Sequence, residues 1–330
     1  MSSANPRGVR IFVNPGASSG TGRERWKRVE GELKRRLGDF EVEETAEPGE
    51  LSRRLAELVR QGERRFVAAG GDGTVNLLVN AIMELPEGDP AGPGRSEAAL
   101  PEGDRIVLGA VGLGSSNDFH KPFDESATVE GMPVKVDFDG ARERDVIRIE
   151  YVAPDGSTAT RYSLVNASAG VTAEANARFN EPGRLIRAAR AVSVDAAITT
   201  AVVTTLASWR DVTCALSIDG GESEMASVTN LGVFKSPHFG GTLCYDTSVS
   251  PDDGMLGIAL CEGMSAFETV ATLSALRKRR FAGRSKTRTW KANSLSVQGD
   301  RVFALETDGE VVRARSARFS VAPRRLMCCR

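Results

Sequence analysis

The sequence predicts an α/β domain built on a parallel sheet, followed by a mostly β domain of the sandwich type. Three observations carry this. From Val9 onward, short apolar runs alternate with stretches of helical periodicity, which is how a βαβ series reads. After about Val134 the texture changes to short strand-like runs parted by the turns Pro154-Asp155-Gly156, Asp219-Gly220-Gly221 and Asp252-Asp253-Gly254. The 330 residues are also about twice an ordinary domain length, enough for two separate cores. Residues 1–134 form the first domain on this reading and residues 135–316 the second. Residues 317–330 form a closing strand and tail, whose return to the first domain stays open.

Val9 to Val13 suits the first strand. A helix follows from about Arg23 to Leu37, with Trp26, Val29, Leu33 and Leu37 on one face and charges on the other. Phe40 to Thr45 reads as a second strand, Leu51 to Gln61 as a helix turning Leu51, Leu55 and Leu58 inward, and Arg65 to Ala69 as a third strand. Another helix starts near Val75, and Ile106 to Val111 is a fourth strand. Pro86 to Asp104 is rich in Pro, Gly, Glu and Asp without periodicity, hence a surface loop. Two helices are expected inside the β domain, one spanning Arg184 to Trp209 and one from Ser265 to Arg280. Ala317 to Val321 is the last apolar run.

Composition removes several function classes. With 43 basic and 44 acidic residues the formal net charge is −1, so no global field selects nucleic acid. The five cysteines, Cys214, Cys244, Cys261, Cys328 and Cys329, show neither CxxC spacing nor an even framework, and so read as reduced thiols. Met1 to Gly8 lacks the apolar core of a signal peptide, and Ala191 to Trp209 is too rich in Ala and Thr for a membrane span. A cytoplasmic location follows as an expectation. His120 and His238 are the only histidines, too few for a His-based metal site, and no GxSxG surrounds Ser168. Charge is concentrated in one place: Arg277, Lys278, Arg279, Arg280, Arg284, Lys286, Arg288 and Lys291 crowd a segment without an acidic residue. Such a patch suits an anionic phospholipid membrane and peripheral attachment, against the plainer reading of a solvated helix end. Arg178, Arg184, Arg187 and Arg190 are a second basic candidate. The sequence leaves oligomeric state open, a homodimer included.

Three polar, glycine-bearing loops follow three predicted strands: Asn14-Pro15-Gly16-Ala17-Ser18-Ser19-Gly20, Gly70-Gly71-Asp72-Gly73-Thr74 and Gly112-Leu113-Gly114-Ser115-Ser116-Asn117-Asp118. In an open α/β sheet these lie at the carboxyl edge, where ligands bind and where glycines let backbone N–H groups approach phosphate oxygens. A nucleotide phosphate chain is the natural guest, although each loop alone could be a tight turn. Ser19, Thr74, Ser115 and Ser116 add hydroxyl donors. No GxxxxGK[ST] is present, so the phosphate site is not a P-loop. Asp72 and Asp118 would repel phosphate unless a cation lay between, and Mg2+ held by one or two carboxylates and phosphate oxygens resolves the conflict. Helix capping is the alternative for each aspartate.

These loops, as NPGASSGTG from Asn14, GGDGTVN from Gly70 and GLGSSNDF from Gly112, resemble those of the diacylglycerol kinase catalytic domain family. That family includes bacterial lipid kinases and sphingosine and ceramide kinases. The resemblance continues through Asn166-Ala167-Ser168-Ala169-Gly170, Gly240-Gly241, Pro251-Asp252-Asp253-Gly254-Met255-Leu256 and Thr307-Asp308-Gly309-Glu310. It departs at Ser115, where the family's third loop usually carries Thr. It implies a Rossmann-like first domain similar to that of NAD kinase and phosphofructokinase, a β-sandwich behind it, and transfer of the γ-phosphoryl group of ATP to a lipid hydroxyl such as that of diacylglycerol.

The nucleotide contacts it implies are Asn14, Pro15, Ser19, Gly20, Gly70, Gly71, Gly73, Thr74, Asn76, Gly112, Gly114, Ser115, Ser116 and Asn117. Asp72, Asp118 and Asp145 would surround the catalytic Mg2+ through carboxylates and water. Asp72, Asp308 and Glu310 are the catalytic candidates, one of the last two as general base, against the plain reading of Asp308-Gly309 as a hairpin turn. Asp252, Asp253 and Met255 would hold a structural Mg2+. NAD kinase-like transfer to a non-lipid hydroxyl, a sphingoid or ceramide substrate, and a silent lipid-binding regulator are the competing readings.

Overall fold

A computed structural model describes residues 8–44, 48–85, 105–322 and 325–330, without the side chains of Ser19, Pro48, Val194 and Asp195. The Pro86 to Asp104 loop lies outside the described residues. In chain order the elements are β1 (Val9–Val13), α1 (Ala17–Gly20), α2 (Gly22–Leu37), β2 (Phe40–Glu44), α3 (Pro48–Arg60), β3 (Arg65–Gly70), α4 (Asp72–Met83), β4 (Val107–Gly112), β5 (Thr128–Val129), β6 (Met132–Lys135) and β7 (Arg142–Arg144). They continue with β8 (Ile147–Val152), β9 (Thr158–Ser163), β10 (Asn166–Gly170), α5 (Val171–Asn180), α6 (Arg184–Val192), α7 (Val194–Ser208), β11 (Val212–Ile218), β12 (Glu224–Phe234), β13 (His238–Phe239), β14 (Leu243–Cys244) and β15 (Leu256–Glu262). The last are α8 (Ala266–Arg277), β16 (Thr287–Ala292), β17 (Ser294–Thr307), β18 (Glu310–Val321) and β19 (Leu326–Cys328). Two compact units result, Met1–Val146 with Ala322–Arg330, and Ile147–Val321.

The first unit is a doubly wound sheet in the order β2-β1-β3-β4-β19-β7, with β6 also on β4. Strands β1 to β4 run parallel, and so does β19 against β4. Val9, Ile11 and Val13 alternate onto the face covered by Trp26, Val29 and Leu33 of α2. Phe12 and Phe66 turn to the opposite face, with ring centroids 6.2 Å apart. Each such fully buried side chain contributes on the order of 1.5–3 kcal/mol, which is why the apolar spacing fixes these elements. The run Ala317–Val321 is the end of the long β18 in the second unit, and the chain re-enters the first sheet only at Leu326.

The second unit is an antiparallel sheet in the order β16-β15-β12-β10-β17-β18-β8-β9. It doubles back because its long strands change partners: β12 pairs with β11 over Glu224–Val228 and with β10 over Asn230–Phe234. The register of β12 against β15 shifts between Val228 and Asn230, and that of β17 against β18 between Gln298 and Phe303. Such irregularities bend a strand between layers. Ile149, Val228, Leu231, Leu260, Leu305 and Phe319 share the core between those layers.

The single helix expected over Arg184 to Trp209 is two. Ser193 interrupts it with extended backbone, and its hydroxyl accepts the Ala196 N–H at 3.0 Å to cap α7. Helix α5 had no place in the sequence reading. Its charged and small residues give almost no apolar stripe, and only Val171 and Ala173 are buried. No helix among the described residues is long and apolar enough to cross a membrane. All five cysteines are buried, Cys328 and Cys329 within or beside β19.

Candidate active site

Strand order 2-1-3-4 puts a topological switch beside β1, and pairing brings the carboxyl ends of β1, β3 and β4 side by side, with Val13 opposite Ala69 and Gly70 opposite Gly112. The three glycine loops leave from those ends and touch. Asn14 Nδ2 donates to Thr74 Oγ1 at 3.2 Å, joining the first loop to the second. Leu113 N–H and Gly114 N–H both donate to the Gly70 carbonyl, at 2.8 and 3.2 Å, joining the second to the third.

Glycine is required where these backbones cross. A Cβ on Gly114 would lie 2.5 Å from Gly71 Cα, and one on Gly70 would lie 2.2 Å from Thr74 Oγ1. The third loop is shaped by Asn117, in the left-handed region at φ 49°. Its Oδ1 accepts Gly114 N–H at 3.1 Å and its Nδ2 donates to the Gly114 carbonyl at 3.1 Å. Asparagine tolerates that backbone because its amide can serve the loop in this way. Ser115 is exposed and Ser116 half-buried on the same loop. Gly16 N–H donates to Asn14 Oδ1 at 2.9 Å, curling the first loop into α1. The Ser19 side chain lies outside the described residues.

Asp72 opens α4 directly behind the second loop, and its Oδ1 accepts Phe119 N–H at 2.9 Å. The second loop is thereby latched to the short 3₁₀ turn Asp118–His120. Asp118 is buried and paired with Lys121 Nζ at 2.6 Å. Asp145 is 1% exposed, and its Oδ1 accepts Arg325 Nε at 2.9 Å. Among the described residues no group of three His, Cys, Asp or Glu could hold a metal ion. The three aspartates expected around one magnesium are thus not gathered as direct ligands: Asp72 and Asp118 are near neighbours, while Asp145 is bound to Arg325. What remains fits a narrower donor set, one carboxylate, Asp72, beside backbone loops built for phosphate.

Asn76 and Asn80 are buried within α4, the Asn80 amide donating to Asn76 Oδ1 at 3.0 Å. Phe119 carries cations near its ring, with Lys135 Nζ 5.5 Å and Arg144 5.3 Å from the centroid. Burial, with the Arg144 charge adding to it, pulls Lys135 down to about 8. His120 is pushed down to about 4 by burial first, with the Lys135 and Arg144 charges also opposing its protonation.

In the second unit Asp308 is an anchor. Its carboxylate accepts Ser163 Oγ at 2.7 Å and the N–H groups of Leu164, Val165 and Asn166 at 3.0, 3.2 and 2.9 Å. Three of these contacts converge on Oδ1 and one on Oδ2, which holds the Ser163–Asn166 turn against β17. Glu310 is exposed at the start of β18. The neighbouring Glu306 accepts Ser168 Oγ at 2.8 Å, and Asn176 of α5 donates to the Gly309 carbonyl at 3.1 Å.

The predicted basic segment is partly neutralised. Lys286 pairs with Glu268 at 2.8 Å, Arg288 with Glu224 at 2.8 Å and Lys291 with Asp253 at 3.2 Å. Arg277, Lys278, Arg279 and Arg280 stay exposed at the end of α8. On α6, Arg184, Leu185, Arg187, Ala188 and Val192 are all exposed, Leu185 at 69% and Val192 at 82%.

Two contributors escaped the sequence reading. Arg25 Nη1 donates to the carbonyls of Leu113 and Gly114, each at 3.0 Å, tying α2 to the third loop. Nothing separates it in sequence from Arg23, Lys27 or Arg28. Lys121 did carry a signal, its spacing of three from Asp118, which is the reach of one helical turn.

Three joined glycine loops and one carboxylate thus sit at the switch point of a parallel sheet, the edge at which open α/β folds bind their ligands. The comparisons make the class specific. The diacylglycerol kinase catalytic domain matches residues 8–149, and the YegS C-terminal NAD kinase beta sandwich-like domain matches residues 165–330. The chain belongs to the family that joins these two domains, a diacylglycerol kinase catalytic domain followed by the YegS-type sandwich. A relative named "Probable lipid kinase YegS-like" from Xanthomonas oryzae pv. oryzae is 24% identical over 314 residues, covering 90% of this chain and 88% of its own. One of the same name from Stenotrophomonas maltophilia is 26% identical over 301 residues, covering 87% and 85%. A crystal structure of a diacylglycerol kinase from Bacillus anthracis str. Sterne superposes with a TM-score of 0.59 at 14% identity, covering 98% of this chain and 96% of that one, a likeness of fold.

Proposed function

We propose that this chain is a kinase that uses ATP with Mg2+ to phosphorylate the hydroxyl of a membrane lipid, with diacylglycerol as the leading substrate. The observation that carries the reading is the meeting of three glycine loops and Asp72 at one end of a parallel sheet. Phosphoryl transfer asks a protein mainly for positioning and for neutralised oxygens. Backbone N–H groups of Gly71–Gly73, at the first turn of α4, and of Ser115–Ser116 are suited to cradle phosphate oxygens, while those of Leu113 and Gly114 hold the loops together. Asp72, held in place by Phe119 N–H, is oriented to keep one carboxylate beside them. Magnesium, when bound with ATP, would supply the charge neutralisation that lets phosphate and carboxylate share this space. Arg25 and Asn117 fix the third loop and so position its amides.

Family membership and the named relatives support a lipid as acceptor. The α6 face supports a bilayer as its source. Leu185 and Val192 project outward among Arg184 and Arg187, the composition of a helix that lies in an anionic interface. The α8 end adds four exposed basic residues. Transfer of label from ATP should be compared on diacylglycerol, sphingosine, undecaprenol and NAD, in wild type and Asp72→Asn. Diacylglycerol labelling that Asp72→Asn abolishes supports the reading, and labelling confined to NAD refutes it. Arg184→Glu with Arg187→Glu should weaken co-sedimentation with phosphatidylglycerol vesicles by about tenfold or more, from the loss and reversal of two charges each worth on the order of 1 kcal/mol. Unchanged co-sedimentation would remove α6 as the docking face.

A further inference from the structure

We infer that the ammonium group of Lys235 is the resident cation of the Pro251–Met255 turn, in the position where the resemblance to bacterial lipid kinases leads to expectation of a structural magnesium ion. Lys235 directly follows β12, and its side chain is 0% exposed. Its Nζ lies 2.7 Å from Asp253 Oδ1 and 2.7 Å from the Met255 carbonyl oxygen. These are a carboxylate and a backbone carbonyl, the two kinds of oxygen that would coordinate a divalent ion there. Both instead meet an ammonium at hydrogen-bond distance, and Mg2+ would require octahedral oxygens at about 2.0–2.1 Å.

The rest of the turn is arranged around the Asp253 carboxylate. Asp253 Oδ1 also accepts Met255 N–H at 3.1 Å, which folds the turn back on its own carboxylate. Asp253 Oδ2 faces Lys291 Nζ of β16 at 3.2 Å. One carboxylate thus serves two ammonium groups, and a divalent ion added here would be repelled by both at short range. Burial pushes the Asp253 carboxyl upward, but the hydrogen bonds from Lys235, Met255 N–H and Lys291 outweigh it and hold it at about 2, ionised and able to keep its partners. A buried lysine keeps its charge only where such partners surround it. The two ion pairs join the end of β12, the turn and β16. The second unit is then complete without metal, and the divalent ion this protein needs enters with the nucleotide alone. This holds whichever hydroxyl the enzyme phosphorylates.

The test uses the intact chain without nucleotide. Wild type should melt at the same temperature in EDTA and in millimolar magnesium or calcium, and should carry substoichiometric divalent metal by plasma mass spectrometry after gel filtration. Lys235→Met, which keeps side-chain length and removes the charge, should melt several degrees lower and should gain a magnesium-dependent rise in melting temperature that wild type lacks. Should that variant fail to fold, the wild-type measurements still decide. One equivalent of tightly held magnesium or calcium in wild type, or a fall in its melting temperature on chelation, overturns the inference, as does a Lys235→Met protein that melts like wild type.

Discussion

Replacing Gly114 with alanine tests the contact on which the phosphate-site geometry rests. The added methyl would start 2.5 Å from Gly71 Cα and 3.0 Å from Asn117 Oδ1, where ordinary contact begins at 3.4 Å. The second and third loops must then part by about 1 Å, against the two hydrogen bonds that Gly70 accepts from Leu113 and Gly114. Overpacking of this kind costs about 1–3 kcal/mol. In a unit of roughly 150 residues that lowers the melting temperature by about 2–4 °C per kcal/mol. Turnover should suffer more than stability, because a 1 Å error in a positioning loop costs on the order of 100-fold. Gly31→Ala, on the exposed face of α2 with nothing within 4 Å of its Cβ, is the matched control. It should stabilise by about 0.5–1 kcal/mol with unchanged turnover. Thermal denaturation and ATP-dependent labelling of diacylglycerol in mixed micelles read both effects. A Gly114→Ala enzyme with wild-type turnover would mean that the two loops do not work as one cradle.

Two further predictions concern buried charge. His120 has a folded-state value of about 4 against 6.5 for the free side chain, because burial favours its neutral form. Its contribution is therefore complete above pH 6.5 and is lost as pH falls toward 4, by up to about 3 kcal/mol. Urea unfolding from pH 7 to pH 4 should show this slope, and His120→Phe should flatten it; equal slopes would remove His120 as the cause. Asp308→Ala removes the acceptor of the Leu164, Val165 and Asn166 N–H groups, while the Ser163 hydroxyl keeps the Asn166 carbonyl at 2.9 Å, so it should destabilise by on the order of 3–5 kcal/mol, and Asp308→Asn, which keeps one acceptor oxygen, should cost less. If Asp308→Ala keeps wild-type unfolding free energy and loses only turnover, the general-base role holds over the anchoring one.

The first unit was legible because its signals are local and repeated. Val9, Ile11 and Val13, the stripe Trp26-Val29-Leu33, and glycines directly after apolar strands each report one element, and strand order follows from the βαβ rule. The sandwich type of the second unit was legible from its turns, but the pairing that doubles its sheet was hidden, since it depends on partner changes along β12 and β17 that no local pattern encodes. The break at Ser193 was missed because alanines and apolar residues on both sides kept the helical composition continuous. At the site, residue types were legible and their pairings were not. Asp118, Asp145 and Asp253 look alike in sequence as acidic residues near glycine turns or strand ends, yet each is matched to a cation distant or unremarked in the chain: Lys121, Arg325 and Lys235. Asp72 is set apart by its latch, a backbone amide from the neighbouring loop at Phe119.

The position of Leu326–Cys328 between β4 and β7 sets an order of assembly. A ribosome delivers β1 to β7 first, but their sheet lacks an inner plank until all of Ile147–Val321 has been made. The second unit, contiguous in sequence, can close earlier. A nick or frameshift within Leu326–Cys328 would therefore damage the unit whose first strands are synthesised first, by leaving the Val107–Leu108 edge of β4 uncovered and β7 without its partner.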